Sequence, residues 1–400
     1  MPSPIHIAQV VEAVEGGCRR HVRELAAGLD AERFRQTIIF SPRRDPGFAA
    51  TIARAAGNAV ETVPWQVHRA IRPGADLAAY RFLRELLRER RFDVVHCHSA
   101  KAGLLGRLAA RGLGAATVYT PHCFPFGMET SGFARAAYLA LERFAGRFTD
   151  RLVAVAPSEA DLARAAGVVA PDRIVTIENG IDMAPFGVTG GAEAKRAELG
   201  IGVCDPVILS IGALRPQKGH RYLIEAVPAV LREHPQVRVL IAGEGALRPQ
   251  LAELIARRGV EQHVRLLGQR EDVPELLGVA NCLALSSLWE GGPYTLLEAM
   301  AASAPVVGSR IPGITDWVRE GETGRLAEPG DPAGLATQIS RTLAEPEASR
   351  RMAAAARELV RRRNTRERWL AQMTALYEEL ASTGSRAGAA LESRGHGARP

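Results

Sequence analysis

The chain has 400 residues, a formal charge of +7, 46% hydrophobic residues and 24% charged residues. This length exceeds one ordinary hydrophobic core and predicts two domains, and the composition is that of a globular protein. No stretch approaches the ~20 apolar residues that span a bilayer, and no secretory signal is visible. Five scattered cysteines without a Cys-x-x-Cys pair predict reduced thiols in the cytoplasm rather than disulfides or a zinc site.

The positive charge is compatible with several anionic partners. Aromatic residues make up only 5% of the chain, and neither zinc-finger spacing nor an RNA-binding aromatic signature occurs, so we predict no nucleic-acid partner. A phosphate-rich substrate or an anionic membrane surface would each attract such a chain. We therefore expect a cytoplasmic protein whose basic surface contacts the inner face of the plasma membrane.

In the first half of the chain, short apolar runs alternate with helical patterns. This alternation indicates βαβ units and a parallel sheet. Strands are predicted at 5–11, 36–40, 93–97, 116–119, 151–154 and 174–177, and helices at 21–29, 77–90, 102–111 and 133–148.

The pattern restarts after a Gly- and Pro-rich segment at 185–191, which predicts a linker. Two doubly wound α/β units in series are therefore expected. Strands are predicted at 207–211, 237–242, 264–267, 282–285 and 305–308, and helices at 222–233, 248–258, 273–277, 295–301, 333–343 and 347–363. We place the domains at 1–185 and 186–364, a C-terminal helix at 365–382 and a disordered, Gly-, Ala-, Ser- and Arg-rich tail at 383–400.

A Gly-Gly-Pro segment separates the strand predicted at 282–285 from the helix predicted at 295–301. Ligands of parallel α/β sheets bind at this edge, and N–H groups at a helix N-terminus bind anions. Glu290 lies before the helix and Glu298 lies one turn inside it, so the two carboxylates are spaced to reach a sugar hydroxyl and a ribose. The alternative is that both are solvated surface charges. The candidate binding residues are Glu290, Gly291, Gly292, Tyr294, Thr295, Leu296 and Glu298.

A second candidate is the turn that follows the strand predicted at 207–211. Arg215 offers a guanidinium fork and Lys218 an ammonium group, which together suit a diphosphate. The order of residues is not that of a Walker A loop. Two solvated surface cations are the alternative interpretation.

Two further candidates lie in the first half. Gly16 and Gly17, between the first strand and the first helix, allow a phosphate or sugar to approach the backbone closely, although a plain tight turn explains them almost as well. His122 follows the strand predicted at 116–119 and precedes an aromatic segment suited to wall a cleft. The pair His96 and His98 shares one face of a strand; with no third ligand at suitable spacing, we interpret it as a polar strand end and predict no metal site.

Taken together, these segments resemble the GT4 family of retaining glycosyltransferases, which have the GT-B fold of two Rossmann-like domains facing across a cleft. The resemblance extends from about residue 5 to 380. It is carried by the Glu-x7-Glu spacing from Glu290, the loop from Arg215 to Gly219, the glycines 16 and 17, the turn at 179–182 and the strand at 93–98. The sequence departs from the family pattern at Glu178 and Ala156, neither of which touches the expected chemistry.

The resemblance implies a role for each candidate. Glu298 would hold the ribose and Glu290 the donor sugar, while Arg215 and Lys218 would neutralise the diphosphate, so that no metal or other cofactor is required. Gly16 and Gly17 would lie beside the diphosphate, and His122 would contact the transferred sugar. The C-terminal helix would cross back to the N-terminal, acceptor-side domain. We therefore place His122, Glu290, Arg215 and Lys218 in the catalytic set.

The predicted function is transfer of a hexose or N-acetylhexosamine, with retention, from a nucleoside-diphosphate sugar to a hydroxyl of a glycan or lipid-linked acceptor. A UDP-sugar is the favoured donor, and bacterial polysaccharide biosynthesis the favoured setting. A sugar-nucleotide epimerase of GT-B fold and a non-catalytic nucleotide-sugar-binding protein remain alternatives, because fold alone decides neither.

Overall fold

The computed structural model describes residues 3–187 and 191–395. The chain forms two compact units, one of the residues up to Glu178 together with those from Glu367 onward, and one of the residues from Asn179 to Arg366. The domain boundaries predicted at 185 and 364 stay predictions, and part of the predicted linker, residues 188–190, lies outside the described residues.

The N-terminal unit is built on a seven-stranded sheet in the order β3-β2-β1-β4-β5-β6-β7, and its named strands pair in parallel. The strands are β1 (Ile5–Val11), β2 (Phe34–Phe40), β3 (Val60–Pro64), β4 (Val94–His98), β5 (Ala116–Thr120), β6 (Arg151–Ala154) and β7 (Ile174–Thr176). The helices are α1 (Gly16–Gly28), α2 (Phe48–Ala56), α3 (Pro73–Arg90), α4 (Ala100–Ala110), α5 (Gly132–Gly146) and α6 (Pro157–Ala166), with the C-terminal helix α14 (Arg366–Gly395).

The second unit repeats this winding on six parallel strands in the order β10-β9-β8-β11-β12-β13. The strands are β8 (Val207–Ile211), β9 (Arg238–Ala242), β10 (Val264–Gly268), β11 (Cys282–Leu285), β12 (Val306–Ser309) and β13 (Arg325–Ala327). The helices are α7 (Ala192–Glu198), α8 (His220–Glu233), α9 (Arg248–Arg257), α10 (Val273–Val279), α11 (Tyr294–Ala301), α12 (Pro332–Ala344) and α13 (Pro346–Arg363). The prediction of two doubly wound parallel-sheet units is confirmed.

In each sheet the order in which successive strands are added reverses beside the first strand. These switch points lie between β1 and β4 in one unit and between β8 and β11 in the other. The loops that leave two neighbouring strands there diverge to opposite faces, so a crevice opens at the carboxyl ends of the strands. Each crevice is where a ligand of its own unit is expected.

The C-terminal helix packs on the N-terminal sheet. Trp369, Met373 and Tyr377 are buried in one apolar cluster with Ile7 and Val94 of strands β1 and β4. The helix continues to Gly395, so the segment predicted as a disordered tail begins within it, and residues 396–400 lie outside the described residues. Alanine, arginine and glutamate, which recur after residue 382, all have high helix propensity. Among the described helices, none is both long and apolar enough to cross a bilayer.

Candidate functional site

The switch point of the C-terminal unit brings the two strongest candidate segments together. Arg215 ends the turn after β8 and is followed by a short 3-10 helix, Pro216–Lys218. Gly219 then takes a φ of +58°, and a Cβ there would lie 2.0 Å from the carbonyl oxygen of Ser286, just past β11. Only glycine fits this left-handed position against a neighbouring backbone. The turn after β8 therefore packs directly on the end of β11.

An ion pair joins the two segments. Lys218 Nζ lies 2.5 Å from Glu290 Oε1, and the Ser287 hydroxyl donates to the same oxygen at 2.7 Å. The Glu290 side chain is 5% exposed and that of Lys218 18% exposed. Gln217 reinforces the link, because its amide donates to the Trp289 carbonyl at 3.1 Å. One oxygen of Glu290 is thus engaged by a cation and a hydroxyl, which fixes the carboxylate at the carboxyl edge of the sheet.

The glycine-rich turn leads directly into α11. The helix begins at Tyr294 after Pro293, so its first N–H groups face the same edge as Lys218 and Glu290. Thr295 lies in the first turn, and its Oγ1 is buried with no hydrogen-bond partner among the described residues. Glu298 is 8% exposed, so the interpretation of this residue as a solvated helix charge is wrong. The N–H groups at this helix N-terminus favour an anionic ligand.

Asn179 holds the glycine-rich turn in place, a role that its sequence position did not reveal. Its amide donates to the carbonyl of Gly292 at 2.9 Å, and its Oδ1 accepts from the Tyr294 hydroxyl at 3.2 Å. Its own carbonyl accepts from the Asn364 amide at 3.0 Å. The partners are more than 100 residues away in sequence, so the turn at 179–182 was interpreted from its sequence as part of the family resemblance, without these contacts.

The buried His220 is a second residue that sequence reasoning missed. It begins α8 next to Lys218 and is 3% exposed. Burial, with a contribution from the nearby Lys218 charge, lowers the pKa of His220 to about 4. The imidazole is therefore neutral at physiological pH, so it adds no positive charge beside the two candidate cations.

In the N-terminal unit, Gly16 and Gly17 are the first residues of α1, with Glu15 as the N-cap. They were placed by sequence in the loop before the helix, whereas the helix begins five residues earlier than predicted. Gly16 has a φ of +53°, a conformation that glycine adopts readily. Their position at a helix N-terminus beside the switch strand β1 is suited to an anion.

His122 lies in a strained turn after β5. His122 has a φ of +54° and Cys123 a φ of +102°, a conformation that L-residues adopt rarely and mostly where surrounding contacts enforce it. The enforcing contact is Glu159 of α6, whose carboxylate accepts from the backbone N–H of Cys123 at 2.7 Å and of Val155 at 2.8 Å. Glu159 is thus a positioning residue for the His122 turn.

A chain of hydrogen bonds connects His122 to the sheet interior. His122 Nε2 lies 3.2 Å from His98 Nδ1, and His98 Nε2 lies 2.8 Å from Gln9 Oε1. Gln9 also donates to the Tyr377 hydroxyl at 3.3 Å, and that hydroxyl lies 2.7 Å from His96 Nδ1. Both histidines of β4 are therefore buried members of a polar network, as a polar strand end requires.

Burial sets the protonation state of this network. Desolvation, reinforced by the neighbouring imidazoles, holds the pKa values of His96, His98 and His122 well below their ordinary value. All three rings are neutral near pH 7, so each offers one N–H donor and one lone pair.

Both units match models of known protein families. Residues 16–180 match the family model of a glycosyl transferase 4-like domain, and residues 191–359 match that of glycosyl transferases group 1. The glycosyltransferase EpsD of Bacillus subtilis (strain 168) is 31% identical over 284 residues, which are 69% of this chain and 74% of EpsD. The UDP-Gal:alpha-D-GlcNAc-diphosphoundecaprenol alpha-1,3-galactosyltransferase of Escherichia coli is 32% identical over 261 residues, 64% of this chain and 67% of that enzyme.

Solved structures share the fold at lower identity. HepE of Anabaena, crystallised with UDP-glucose, has a TM-score of 0.81 and 21% identity over 94% of this chain and 100% of HepE. Sucrose-phosphate synthase of Thermosynechococcus elongatus has a TM-score of 0.80 and 21% identity over 95% of this chain and 100% of that one. The chain therefore belongs to the GT4-type glycosyltransferases of GT-B fold.

Proposed function

We propose that this enzyme transfers a hexose or N-acetylhexosamine, with retention of configuration, from a UDP-sugar to a hydroxyl of a glycan or lipid-linked acceptor. The observation that carries the proposal is the Lys218–Glu290 pair, 2.5 Å apart, at the sheet edge where α11 begins. Lys218 offers a cation for the leaving diphosphate, and Glu290 offers a carboxylate for the sugar. The two side chains are neighbours, as the diphosphate and the sugar are in a sugar nucleotide.

The diphosphate is assigned to Arg215, Lys218 and the first turn of α11. Negative charge grows on the diphosphate as its bond to the sugar breaks, and cations and N–H groups already in place stabilise that charge without reorganising. Lys218 keeps further N–H donors for a phosphate while one is engaged by Glu290. Gly16 and Gly17 are assigned to the diphosphate as well, as the glycines of an N-terminal helix turn.

The sugar and ribose are assigned to the two carboxylates. Glu290 Oε1 accepts from Lys218 and Ser287 and Oε2 from the Gln217 amide at 3.5 Å, so Oε2 keeps a lone pair for donor-sugar hydroxyls. Glu298, buried one turn into α11, is assigned to the ribose diol. Tyr294, Thr295 and Leu296 would line the nucleotide between them.

For the chemical step we propose attack from the face that the diphosphate leaves. The bond from the anomeric carbon to the diphosphate oxygen breaks, a bond to the acceptor oxygen forms, and the acceptor proton passes to the departing phosphate. His122 would contact the transferred sugar. No carboxylate nucleophile of the double-displacement kind is assigned near His122, since Glu159 already receives two backbone N–H groups.

Transfer is proposed to need no metal ion or other cofactor. The sequence contains no Asp-x-Asp dyad, while Arg215, Lys218 and a helix N-terminus supply positive potential. Activity should persist in EDTA, measured after dialysis into chelator and compared with the same protein plus magnesium or manganese. Activity that is abolished by EDTA and restored by either ion would refute metal independence.

The choice of donor and acceptor draws on relatives. The E. coli relative is named for transfer of galactose from UDP-Gal to a GlcNAc-diphosphoundecaprenol, and HepE was crystallised with UDP-glucose. We propose the same classes here, a UDP-sugar and an acceptor on a polyprenyl diphosphate or other lipid. A peripheral contact with anionic membrane at the cytoplasmic surface is supported by exposed arginines and by exposed apolar side chains of α5, namely Arg69, Arg72, Arg88, Arg91, Phe133, Leu141 and Phe144.

Binding and hydrolysis of UDP-, GDP- and ADP-sugars test the proposal. A transferase should bind one donor class and hydrolyse it slowly without an acceptor, releasing free sugar and nucleoside diphosphate. An epimerase would instead convert the sugar nucleotide to its epimer without net hydrolysis. A binding protein would bind the donor without any turnover, even when a pool of lipid-linked glycans is supplied. Either of these two results would displace the transferase assignment.

A further inference from the structure

Four imidazoles from distant parts of the sequence meet in the N-terminal unit. His21 lies on α1, His96 and His98 on β4, and His122 in the turn after β5. The ring centroids of His21 and His122 are 4.7 Å apart, and those of His21 and His98 are 5.4 Å apart. Of the four, His21, His98 and His122 form a trihistidine cluster.

The spacing within the trihistidine cluster matches a single coordination sphere. One ring nitrogen from each of the three residues lies within 4.8 Å of the others, and His98 Nδ1 is 3.2 Å from His122 Nε2. Zinc binds imidazole nitrogen at about 2.0–2.1 Å, so two ligands of a tetrahedral ion lie about 3.3–3.4 Å apart. The His98–His122 pair is therefore at ligand separation already, and the third imidazole, that of His21, offers a nitrogen within 4.8 Å of both.

The surrounding network prepares His98 as a ligand. The Gln9 amide donates to Tyr377, which leaves Gln9 Oε1 to accept the Nε2 proton of His98 at 2.8 Å. His98 Nδ1 therefore carries the lone pair, and it points to His122. Metal-binding histidines are commonly held in this way, with the second ring nitrogen donating to a fixed oxygen.

The cluster is accessible from solvent. His21 and His98 are fully buried, whereas His122 is partly exposed, which gives an ion a path from solvent.

We propose that His21, His98 and His122 form a binding site for a divalent transition-metal ion of the zinc class. Three imidazoles without a carboxylate suit Zn²⁺, Co²⁺, Ni²⁺ and Cu²⁺ and disfavour Mg²⁺ and Ca²⁺, which require oxygen ligands. On binding, three nitrogen–metal bonds form, His98 keeps its proton on Nε2, and the proton of His122 moves from Nε2 to Nδ1. No net proton is released, and solvent completes the coordination. The site does not depend on the proposed transfer reaction.

Titration with Co²⁺ tests the site directly, because tetrahedral Co²⁺ absorbs visible light intensely. The full-length protein, free of any histidine tag and stripped with chelator, should bind one Co²⁺, and an equimolar amount of Zn²⁺ should abolish the absorption. His21→Gln and His98→Gln should each weaken Zn²⁺ binding by at least about 100-fold, since loss of a ligand costs no less than loss of an outer-sphere partner. His263→Asn, which removes a half-buried histidine of the C-terminal unit, is the matched control and should bind as the original protein does.

Two results would overturn the proposal. One is the absence of a stoichiometric, Zn²⁺-sensitive Co²⁺ spectrum from the original protein. The other is unchanged affinity in His21→Gln and His98→Gln when circular dichroism and thermal unfolding show that both are folded. If His98→Gln does not fold, because Gln9 loses its partner, His21→Gln alone decides, since its ring is outside the Gln9 hydrogen bonds.

A consequence for activity rests on the proposed function, in which His122 contacts the sugar. An ion held by His122 Nε2 removes that nitrogen from the sugar, so Zn²⁺ should inhibit transfer and EDTA should relieve the inhibition. His21→Gln should be at least about tenfold less sensitive to Zn²⁺. Zn²⁺ binding without inhibition would refute His122 as the sugar contact, while leaving the Co²⁺ result, and so the site, intact.

Discussion

At the residue scale, the two carboxylates of the Glu-x7-Glu segment are held differently. Glu290 receives Lys218 and Ser287 and is fixed at the sheet edge. Glu298 is buried on α11, one turn beyond the glycine-rich segment.

Replacing Glu298 with alanine should weaken binding of the free nucleoside diphosphate. Hydrogen bonds to a charged group contribute about 1.5–3 kcal/mol, so Kd should rise about 10–100-fold. Isothermal calorimetry with UDP measures the change. Glu275→Ala, which removes an exposed glutamate from α10, should leave Kd unchanged. Equal affinities for a folded Glu298→Ala and the original protein would remove Glu298 from the ribose role.

His220 should make the C-terminal unit sensitive to acid. Its folded pKa of about 4 lies below the ordinary value of about 6.5, so between these pH values the unfolded chain binds a proton that the folded chain does not. The free energy of unfolding should therefore fall as pH drops below 6.5, by about 3 kcal/mol at pH 4 from this group. Urea unfolding at pH 7 and 4.5 measures the loss, which should be smaller in His220→Gln. The same pH dependence in both proteins would contradict the assignment.

The candidate site was only partly predictable from the sequence. Glu290 and Lys218 stand next to strand ends, where a local pattern locates them, whereas Gly16 and Gly17 were expected before the first helix and lie in it. Asn179 and Glu159 were not predicted, because each acts on backbone groups that are remote in sequence. The meeting of His21 and His122 with His98 also depends on tertiary packing, which spacing along one strand does not encode.

At the element scale, the elements missed by sequence are short or lie at sheet edges. Strand β3 (Val60–Pro64) is an edge strand with mixed burial and a terminal proline, so it has no continuous apolar run. Helix α2 buries only Phe48, Thr51 and Ile52, too few for a clear helical period. By contrast, β1, β6, β8 and β11, each paired on both sides, have the predicted bounds, because strands inside a parallel sheet are mostly apolar.

A buried ion pair links α4 to α5 and should be critical for the stability of the N-terminal unit. Arg107 Nη2 lies 2.8 Å from Glu142 Oε2, the Tyr119 hydroxyl donates to Oε1 at 2.8 Å, and the Arg107 guanidinium stacks 3.9 Å from the Tyr119 ring. Glu142→Ala should lower the free energy of unfolding by about 3–5 kcal/mol, because it leaves a buried guanidinium without its anion. Urea denaturation measures the change.

The control for this prediction is Glu85→Ala, which removes an exposed glutamate from α3 and should alter stability by less than about 0.5 kcal/mol. A double variant, Arg107→Met with Glu142→Leu, should recover much of the loss, since apolar residues of similar volume often replace a buried ion pair at little cost. A loss below 1 kcal/mol for Glu142→Ala would show that solvent reaches Arg107 in the folded unit.

At the scale of the whole molecule, both units arrange their strands in the same way around the first strand of the sheet. Each sheet has its first strand beside the switch point, and each unit places a glycine-containing helix start there, α1 after β1 and α11 after β11. Backbone N–H groups at such helix starts favour anions in both units. Each unit thus has, at the carboxyl edge of its own sheet, a helix start suited to an anion.

The surface of the N-terminal unit combines cations with exposed apolar side chains. Among the arginines of the N-terminal unit, Arg19 and Arg90 pair with carboxylates, and Arg84 donates to carbonyls near the end of α4. Exposed arginines are Arg69, Arg72, Arg88 and Arg91. Helix α5 exposes Phe133, Leu141 and Phe144 at helical spacing. These three apolar side chains are therefore at least partly open to solvent.

Peripheral binding to anionic membrane follows as a prediction for the full chain. Each basic group near an anionic surface contributes about 1 kcal/mol, and an amphipathic helix adds its apolar face. The protein should co-sediment with anionic vesicles at low salt, less at high salt, and weakly with neutral vesicles at either salt concentration.

Phe133→Ala should weaken binding to anionic vesicles roughly tenfold, because a buried phenylalanine contributes about 1.5–3 kcal/mol. Val203→Ala, which shortens an exposed apolar side chain of the C-terminal unit, should bind unchanged. Equal binding to both kinds of vesicle, or none to either, would favour an acceptor that is free in solution.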